Sequence, residues 1–304
     1  SDGDIFIGTD RGVFFSTNNG LEWELINNGL FDKFYGAPIF SLLINSKGHI
    51  FVGKYDNGVF RSTDKGKNWI QTKLSFGDVR TLVINSKGFI FAGTYKDKIY
   101  YTTDNGNNWI QSYQGLSDKS IMSLVINNNN DILAATYGDG IYRSTDNGNT
   151  WLQIGLSGRT VFSLVINSNG YIYAGTMGGA LFFSTDNGDN WIRTIDFTKS
   201  TIISLNVNSL GHIFAGTTKD GVYCSTDNGS IWKKVSTVFS SINTITIDSE
   251  DQIYYGTNCC GVYFSNDNGL NWMSIGLKTN NVQAINFNSK DEIYAGTMHG
   301  GIYV

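Results

Sequence analysis

The chain has 304 residues, 40% of them hydrophobic and 14% aromatic, with 36 Gly, one Pro and a net charge of −4 from 22 basic and 26 acidic side chains. That balance, with no basic run or stripe, gives nucleic-acid binding no support. No apolar stretch approaches the roughly 18–20 residues of a membrane-spanning helix, so no membrane insertion is expected.

In chain order, the first predicted elements are two short strands, at 4–9 and 12–16. A turn phrase running from Ser16 to Trp23 follows them. Next comes the least repetitive stretch, Gly29 to Pro38, a loop carrying Phe31, Phe34 and Tyr35. The full pattern begins after it. Run A is Ile39 to Ile44, a turn lies at Asn45-Ser46-Lys47-Gly48, and run B is Ile50 to Gly53. After a short loop, run C spans Gly58 to Ser62, and run D starts at Trp69 beyond a second turn. The runs are short, rich in Val, Ile, Phe and Tyr, and bounded by Gly and Asn. That is strand chemistry, and no segment sustains a helical period. Run A recurs as Val79 to Ile84, Ile121 to Ile126 and Val161 to Ile166, nearly all apolar, which predicts burial on both faces. A small residue recurs within it (Ser41, Thr81, Ser123, Ser163, Ser204, Thr244, Ala284) and marks a crowded position. The last runs, 292–297 and 301–304, repeat the first two.

The turn between runs C and D carries one phrase seven times, Ser/Thr-x-Asp-x-Gly-x-x-Trp, at a period of about forty residues. It accounts for every tryptophan: Trp23, Trp69, Trp109, Trp151, Trp191, Trp232 and Trp272. Its carboxylates are Asp64, Asp104, Asp146, Asp186, Asp227 and Asp267, with Asn18 standing in the first copy. The Asp is placed to accept N–H bonds from its own turn, Gly supplies a positive φ, and Trp opens run D with its ring between sheets. Four antiparallel strands per repeat predict an all-β fold, a β-propeller of four-stranded antiparallel blades, as one domain over 1–304. The runs count seven A, eight B, eight C and seven D. Seven blades are favoured, because seven inner strands close one ring by joining the chain ends, and eight is the alternative. The mid-repeat ends leave open that the chain is part of a larger repeat array or assembly.

The phrase resembles the Asp-box, or BNR repeat, of the sialidase, sortilin and xyloglucanase-like propellers. The resemblance covers the whole chain and implies that the box Asp and Trp residues are structural, on the face away from any active site. It also implies a secreted or surface-associated bacterial protein, hence an extracellular or cell-surface location.

The catalytic parts of such enzymes do not assemble in the sequence. Sialidases of this type need three arginines on a carboxylate, a Tyr–Glu pair and an Asp acid. Here Arg61 and Arg143 sit at a variable, solvated position of run C, and Arg80 alone lies in an inner run, as lining residue or as ligand clamp. Two facing carboxylates would serve a glycosidase. Asp56, Asp97, Asp139 and Asp220 instead fall at matching loop positions spread over the repeats. No catalytic residue, cofactor or metal site is expected. Cys224, Cys259 and Cys260 give an odd count; one bridge from Cys224 to either neighbour is conceivable, and free thiols are the simpler reading.

The B–C and D–A loops share one face, the default binding surface of such a fold. Tyr55, Tyr95 and Tyr137 stand at matching B–C positions, with Asp139 nearby and Phe34 and Tyr35 in the long D–A loop. Exposed aromatics beside Asp and Asn suit sugar stacking or a protein hot spot. The expectation is a non-enzymatic binding or scaffold propeller recognising a protein or glycan ligand. The alternatives are a glycoside hydrolase of sialidase or xyloglucanase type and a structural subunit of a surface assembly.

Overall fold

The computed structural model describes residues 5–9, 12–16, 24–30, 39–96, 98–112, 114–116, 118–197, 200–236, 240–276, 281–287, 293–297 and 301–303. Every regular element among them is a β-strand. The strands form six four-stranded antiparallel sheets of order A-B-C-D and two three-stranded ones. The complete sheet nearest the N-terminus shows the plan: A is Ile39–Ile44, B Ile50–Lys54, C Gly58–Ser62 and D Ile70–Gln71. The first three-stranded sheet holds B, C and D (Ile5–Thr9, Gly12–Ser16, Glu24–Leu25). The last holds A, B and C (Val282–Phe287, Ile293–Thr297, Gly301–Tyr303). The strand inventory is the one counted from the repeats. The sequence favoured seven blades over eight; the pairing gives eight sheets, six of them complete, and the strands at the two chain ends belong to separate three-stranded sheets.

The chain divides into two compact units, Ser1–Arg159 and Thr160–Val304. Within the first, strands A of successive sheets lie beside one another: Ile39–Ile44 beside Asp78–Ile84, and that beside Ile121–Ile126. Its core fills the spaces between sheets, as in the cluster of Phe91, Leu116, Ile121, Leu124, Ile132 and Trp151. The second unit repeats the plan with Tyr173, Leu181, Phe197, Ile202, Ile213 and Trp232.

Strand B is the buried strand, contrary to the expectation for A. All five residues of Ile132–Thr136, Ile172–Thr176, Ile213–Thr217 and Ile253–Thr257 are buried, while strand A alternates between buried and half-buried. The cause is topological: A is an edge strand of its sheet, whereas B has a partner on each side. The crowding at Ser41 also has a local cause. Ser41 pairs with Gly53 on strand B. A Cβ on Gly53 would lie 2.5 Å from Ser41 Oγ and 2.7 Å from the Val79 carbonyl oxygen of the next sheet. Gly93, Gly175, Gly216 and Gly256 repeat the arrangement. Strand B thus gives up a side chain so that the following strand A can pack against its backbone.

Candidate functional site

Each sheet has two ends of different character. At one end lie the A–B and C–D turns, where the repeated phrase sits. Ser62 Oγ donates to Asp64 Oδ1 (2.8 Å) and accepts from the Gly66 N–H (2.8 Å), while the Asn68 N–H donates to Asp64 Oδ1 (2.9 Å). The same three bonds recur at Asp104, Asp146, Asp186, Asp227 and Asp267. Two consecutive residues take positive φ, Gly and the residue before it: Lys65 (60°), Asn105, Asn147, Asn187, Asn228 and Asn268. Asn prevails there because its short side chain tolerates the left-handed region.

Donors from the residue four positions on hold these carboxyls low. Asn190 side-chain and backbone N–H groups, with the Ser184 hydroxyl, keep Asp186 at about 2. Asn68, Asn108, Ile231 and Asn271 lower Asp64, Asp104, Asp227 and Asp267 in the same way. At Asp146 burial opposes the shift, yet the Thr150 hydroxyl and N–H still lower it. The carboxylates are engaged within their own turns.

The tryptophans reach the preceding sheet. Trp69 Nε1 donates to the Ile26 carbonyl (2.6 Å), Trp109 to Thr72 Oγ1 (3.0 Å) and Trp151 to Ser112 Oγ (2.6 Å). Trp69, Trp151 and Trp232 are buried; Trp109, Trp191 and Trp272 are half-buried. Trp23 lies outside the described residues. Arg61 is not merely solvated: its Nη1 donates to the Asn105 carbonyl (2.5 Å) and to Asn107 Oδ1 (3.2 Å) of the next turn.

The other end carries the B–C loops and a feature that the sequence did not announce. All seven strands A slip register by one residue near their start. The residue skipped is Phe40, Arg80 or Met122 in the first unit and Phe162, Ile203, Asn243 or Gln283 in the second. A β-bulge takes one residue out of the pleat and re-aims it. The bulged residues differ in chemistry from sheet to sheet, beside neighbours that hardly vary. That variability, set between the first apolar residue of run A and its small residue, was the signal available in the sequence.

In the first unit the bulges and two of the nominated tyrosines form one cluster. Phe40 meets Tyr55 edge to face at 6.1 Å. The Arg80 guanidinium lies over the Phe40 ring at 4.4 Å and over the Tyr95 ring at 5.0 Å. Its carboxylate neighbour, Asp78, is 3.9 Å away and also accepts the Asp56 N–H (2.8 Å). Arg80 Nε is buried without a hydrogen-bond partner among the described residues, although the side chain as a whole is 32% exposed. Lys96 Nζ approaches the Tyr95 ring at 5.6 Å. Tyr55 is 48% exposed. Tyr137, 44% exposed, makes no ring contact among the described residues. Asp139 is tied into its own sheet, accepting from the Tyr142 hydroxyl (2.6 Å) and from Gln153 Nε2 (3.2 Å). Phe34 and Tyr35 lie outside the described residues.

The cysteines correct the expectation. Cys259 and Cys260 are bonded to each other in a B–C loop, and Cys224 is a free thiol buried in strand Val222–Ser225. Cys224 pairs mid-strand with Phe214 and cannot reach a loop at the strand's end. Among the described residues no three His, Cys, Asp or Glu side chains group as metal ligands would, and no helix is long and apolar enough to cross a membrane.

Residues 71–202 match the model of the DUF6242 beta propeller domain. No curated protein matches the chain. Among solved structures, the chain is similar to the extracellular domain of BT4673 from B. thetaiotaomicron, at 19% identity and TM-score 0.70, covering 98% of this chain and 49% of that one. It is similar to the GH74 xyloglucanase of Xanthomonas campestris, at 14% identity and TM-score 0.72, covering 100% and 57%. It is also similar to YCF48 bound to D1 peptide, at 17% identity and TM-score 0.66, covering 84% and 87%. The chain thus spans about half the length of the BT4673 domain. At these identities the likeness is one of fold, and the fold is a β-propeller.

Proposed function

We propose that the chain is a binding module of Asp-box type, one propeller domain over 1–304, whose bulge and B–C loop face recognises a protein or glycan outside the cell. The observation that carries this reading is Arg80. Its guanidinium is stacked between two aromatic rings, its carboxylate neighbour is at the limit of an ion pair, and the side chain stays 32% exposed. Stacking fixes the fork in place, so an incoming oxygen acceptor meets a donor already ordered, at little entropic cost. Tyr, Phe and Arg are also the residues that dominate binding hot spots. The carboxylates of Asp78 and Asp139 are engaged in local bonds, accepting from the Asp56 N–H and the Tyr142 hydroxyl, which favours binding over acid–base chemistry. The extracellular location is supported by the likeness to an extracellular domain. YCF48 with its D1 peptide and the xyloglucanase make both ligand classes reasonable.

The test is a screen of peptide and oligosaccharide libraries, followed by titration of any hit against Arg80→Ala, Tyr95→Ala and Tyr55→Ala. Arg80→Ala and Tyr95→Ala should each weaken binding about tenfold or more, with unchanged melting temperature. Affinity untouched by all three substitutions would remove this face from consideration. Turnover of a chromogenic glycoside, lost on replacing a loop carboxylate, would move the protein to the hydrolases.

A further inference from the structure

The loop after Ile253–Thr257 is built differently from the aromatic loops of the first unit. Thr257 Oγ1 donates to the Gly261 carbonyl (2.9 Å) and accepts from the Cys260 N–H (2.9 Å), which fixes the loop's span. Across that span Cys259 and Cys260 close a ring on adjacent residues, with Cys259 exposed and Cys260 half-buried. Ser240 Oγ lies 3.2 Å from Cys259 Sγ. Beside the ring runs a relay of amides joining two neighbouring sheets. The bulged Asn243 donates from Nδ2 to Asn281 Oδ1 (2.8 Å) and to the Val282 carbonyl (2.9 Å). Asn281 Nδ2 in turn donates to Asn258 Oδ1 (2.6 Å). The Asn258 backbone N–H is held by the Ser241 carbonyl (3.0 Å). The relay therefore ends on the exposed Asn258 amide, whose own Nδ2 hydrogens have no partner among the described residues.

We propose that this loop is a subsite for a neutral oligosaccharide. The proposal rests on the reading of the loop face as a binding surface and gives that surface's second-unit part a ligand class. The disulfide offers a small apolar platform whose ring N–H, that of Cys260, is already engaged by Thr257 Oγ1. A pyranose presents a complementary C–H face, with hydroxyls projecting from its rim. The Asn258 amide, pre-oriented by its acceptor bond to Asn281, supplies planar donors beside the platform, and the Ser240 hydroxyl supplies a donor and an acceptor. Ser240, Ser241, Asn243, Asn258 and Asn281 carry no charge, so an anionic ligand would find no countercharge among them, whereas a neutral one is met without desolvating an ion. Asn258 occupies the loop position of Tyr55, Tyr95 and Tyr137, so the same place in the repeat carries a stacking ring in one unit and a hydrogen-bonding amide in the other.

The experiment is calorimetric titration of the oxidised protein with cellohexaose, laminarihexaose and triacetylchitotriose. It is repeated on Asn258→Ala, on Ile70→Thr as a control far from the loops, and on the unmutated chain reduced with a phosphine. Cys224 is already a free thiol, so reduction acts on the loop pair alone and no cysteine variant has to fold. Saturable binding of at least one probe is expected. It should weaken about tenfold or more on reduction and in Asn258→Ala, the scale of one lost hydrogen bond and its platform. Saturable binding indifferent to both reduction and Asn258→Ala overturns the proposal. So does silence of all three sugars while another ligand binds in an Arg80-dependent way; that result leaves the loop-face reading standing. Silence of these probes together with every library overturns both.

Discussion

Tyr173 and Tyr255 are fully buried, and neither hydroxyl has a hydrogen-bond partner among the described residues. Burial pushes the Tyr173 phenol up to about 12 and Tyr255 in the same direction. Tyr255 earns its place through its ring, 4.6 Å from Trp272 and 5.0 Å from Tyr263. Tyr255→Phe should therefore leave stability unchanged or raise it by up to about 1 kcal/mol in urea unfolding, while Tyr255→Ala should cost about 3–5 kcal/mol. The turn carboxylates behave in the opposite sense, because every oxygen bond counts. Asp186→Ala removes the acceptor of the Asn190 N–H and the Ser184 hydroxyl and should lower the melting temperature measurably. Their acidity gives a direction in pH. A carboxyl held below its ordinary 3.8 adds stability that is complete above that value and is lost as pH falls towards the folded value, about 2 for Asp186. The melting temperature should thus drop steeply between about pH 4 and pH 2, and replacing Asp186 by Asn should flatten that drop. These turns were legible in the sequence because Ser, Asp and Gly each have one evident task there. The left-handed residue before Gly was not, since Lys65 and Asn105 share a conformation without sharing chemistry.

The strands divide labour within a sheet. B is enclosed, D is open, and A faces both ways. Gly53→Ala would press a methyl group against the Val79 carbonyl, and about 1–3 kcal/mol of destabilisation is expected by thermal or chemical unfolding. On strand D, Ile70 is 65% exposed, and Ile70→Thr should stay within about 0.5 kcal/mol of the parent in the same measurement. Strand positions were legible because apolar runs bounded by Gly and Asn recur in every repeat. Burial by strand was not, because it follows from which strand is an edge, and pairing order lies outside local composition. The bulges were hidden for a similar reason: a register slip has no preferred residue, and Phe40, Arg80 and Asn243 undergo the same one. The Cys259–Cys260 bond was equally hidden, since spacing cannot choose among cysteine partners.

At the scale of the molecule, the repeats were legible from a single residue type. Each unit has three described tryptophans: Trp69, Trp109 and Trp151 in the first, Trp191, Trp232 and Trp272 in the second. Reading 1–304 as one domain predicts a single cooperative unfolding transition. The calorimetric enthalpy should then equal the van't Hoff enthalpy, and indole fluorescence should change together with far-ultraviolet dichroism. Two separated transitions would make each unit a folding domain of its own. The register slip in strand A has one more consequence. It moves a single side chain out of the packing between sheets and leaves its neighbours, the first apolar residue and the small residue opposite Gly53, in place. On the proposed reading, durability and selectivity lie at different positions of the same strand. Within the first unit, exchanging Phe40 and Arg80 would then retune what that face captures while Ser41, Gly53 and Val79 go on setting how the sheets pack.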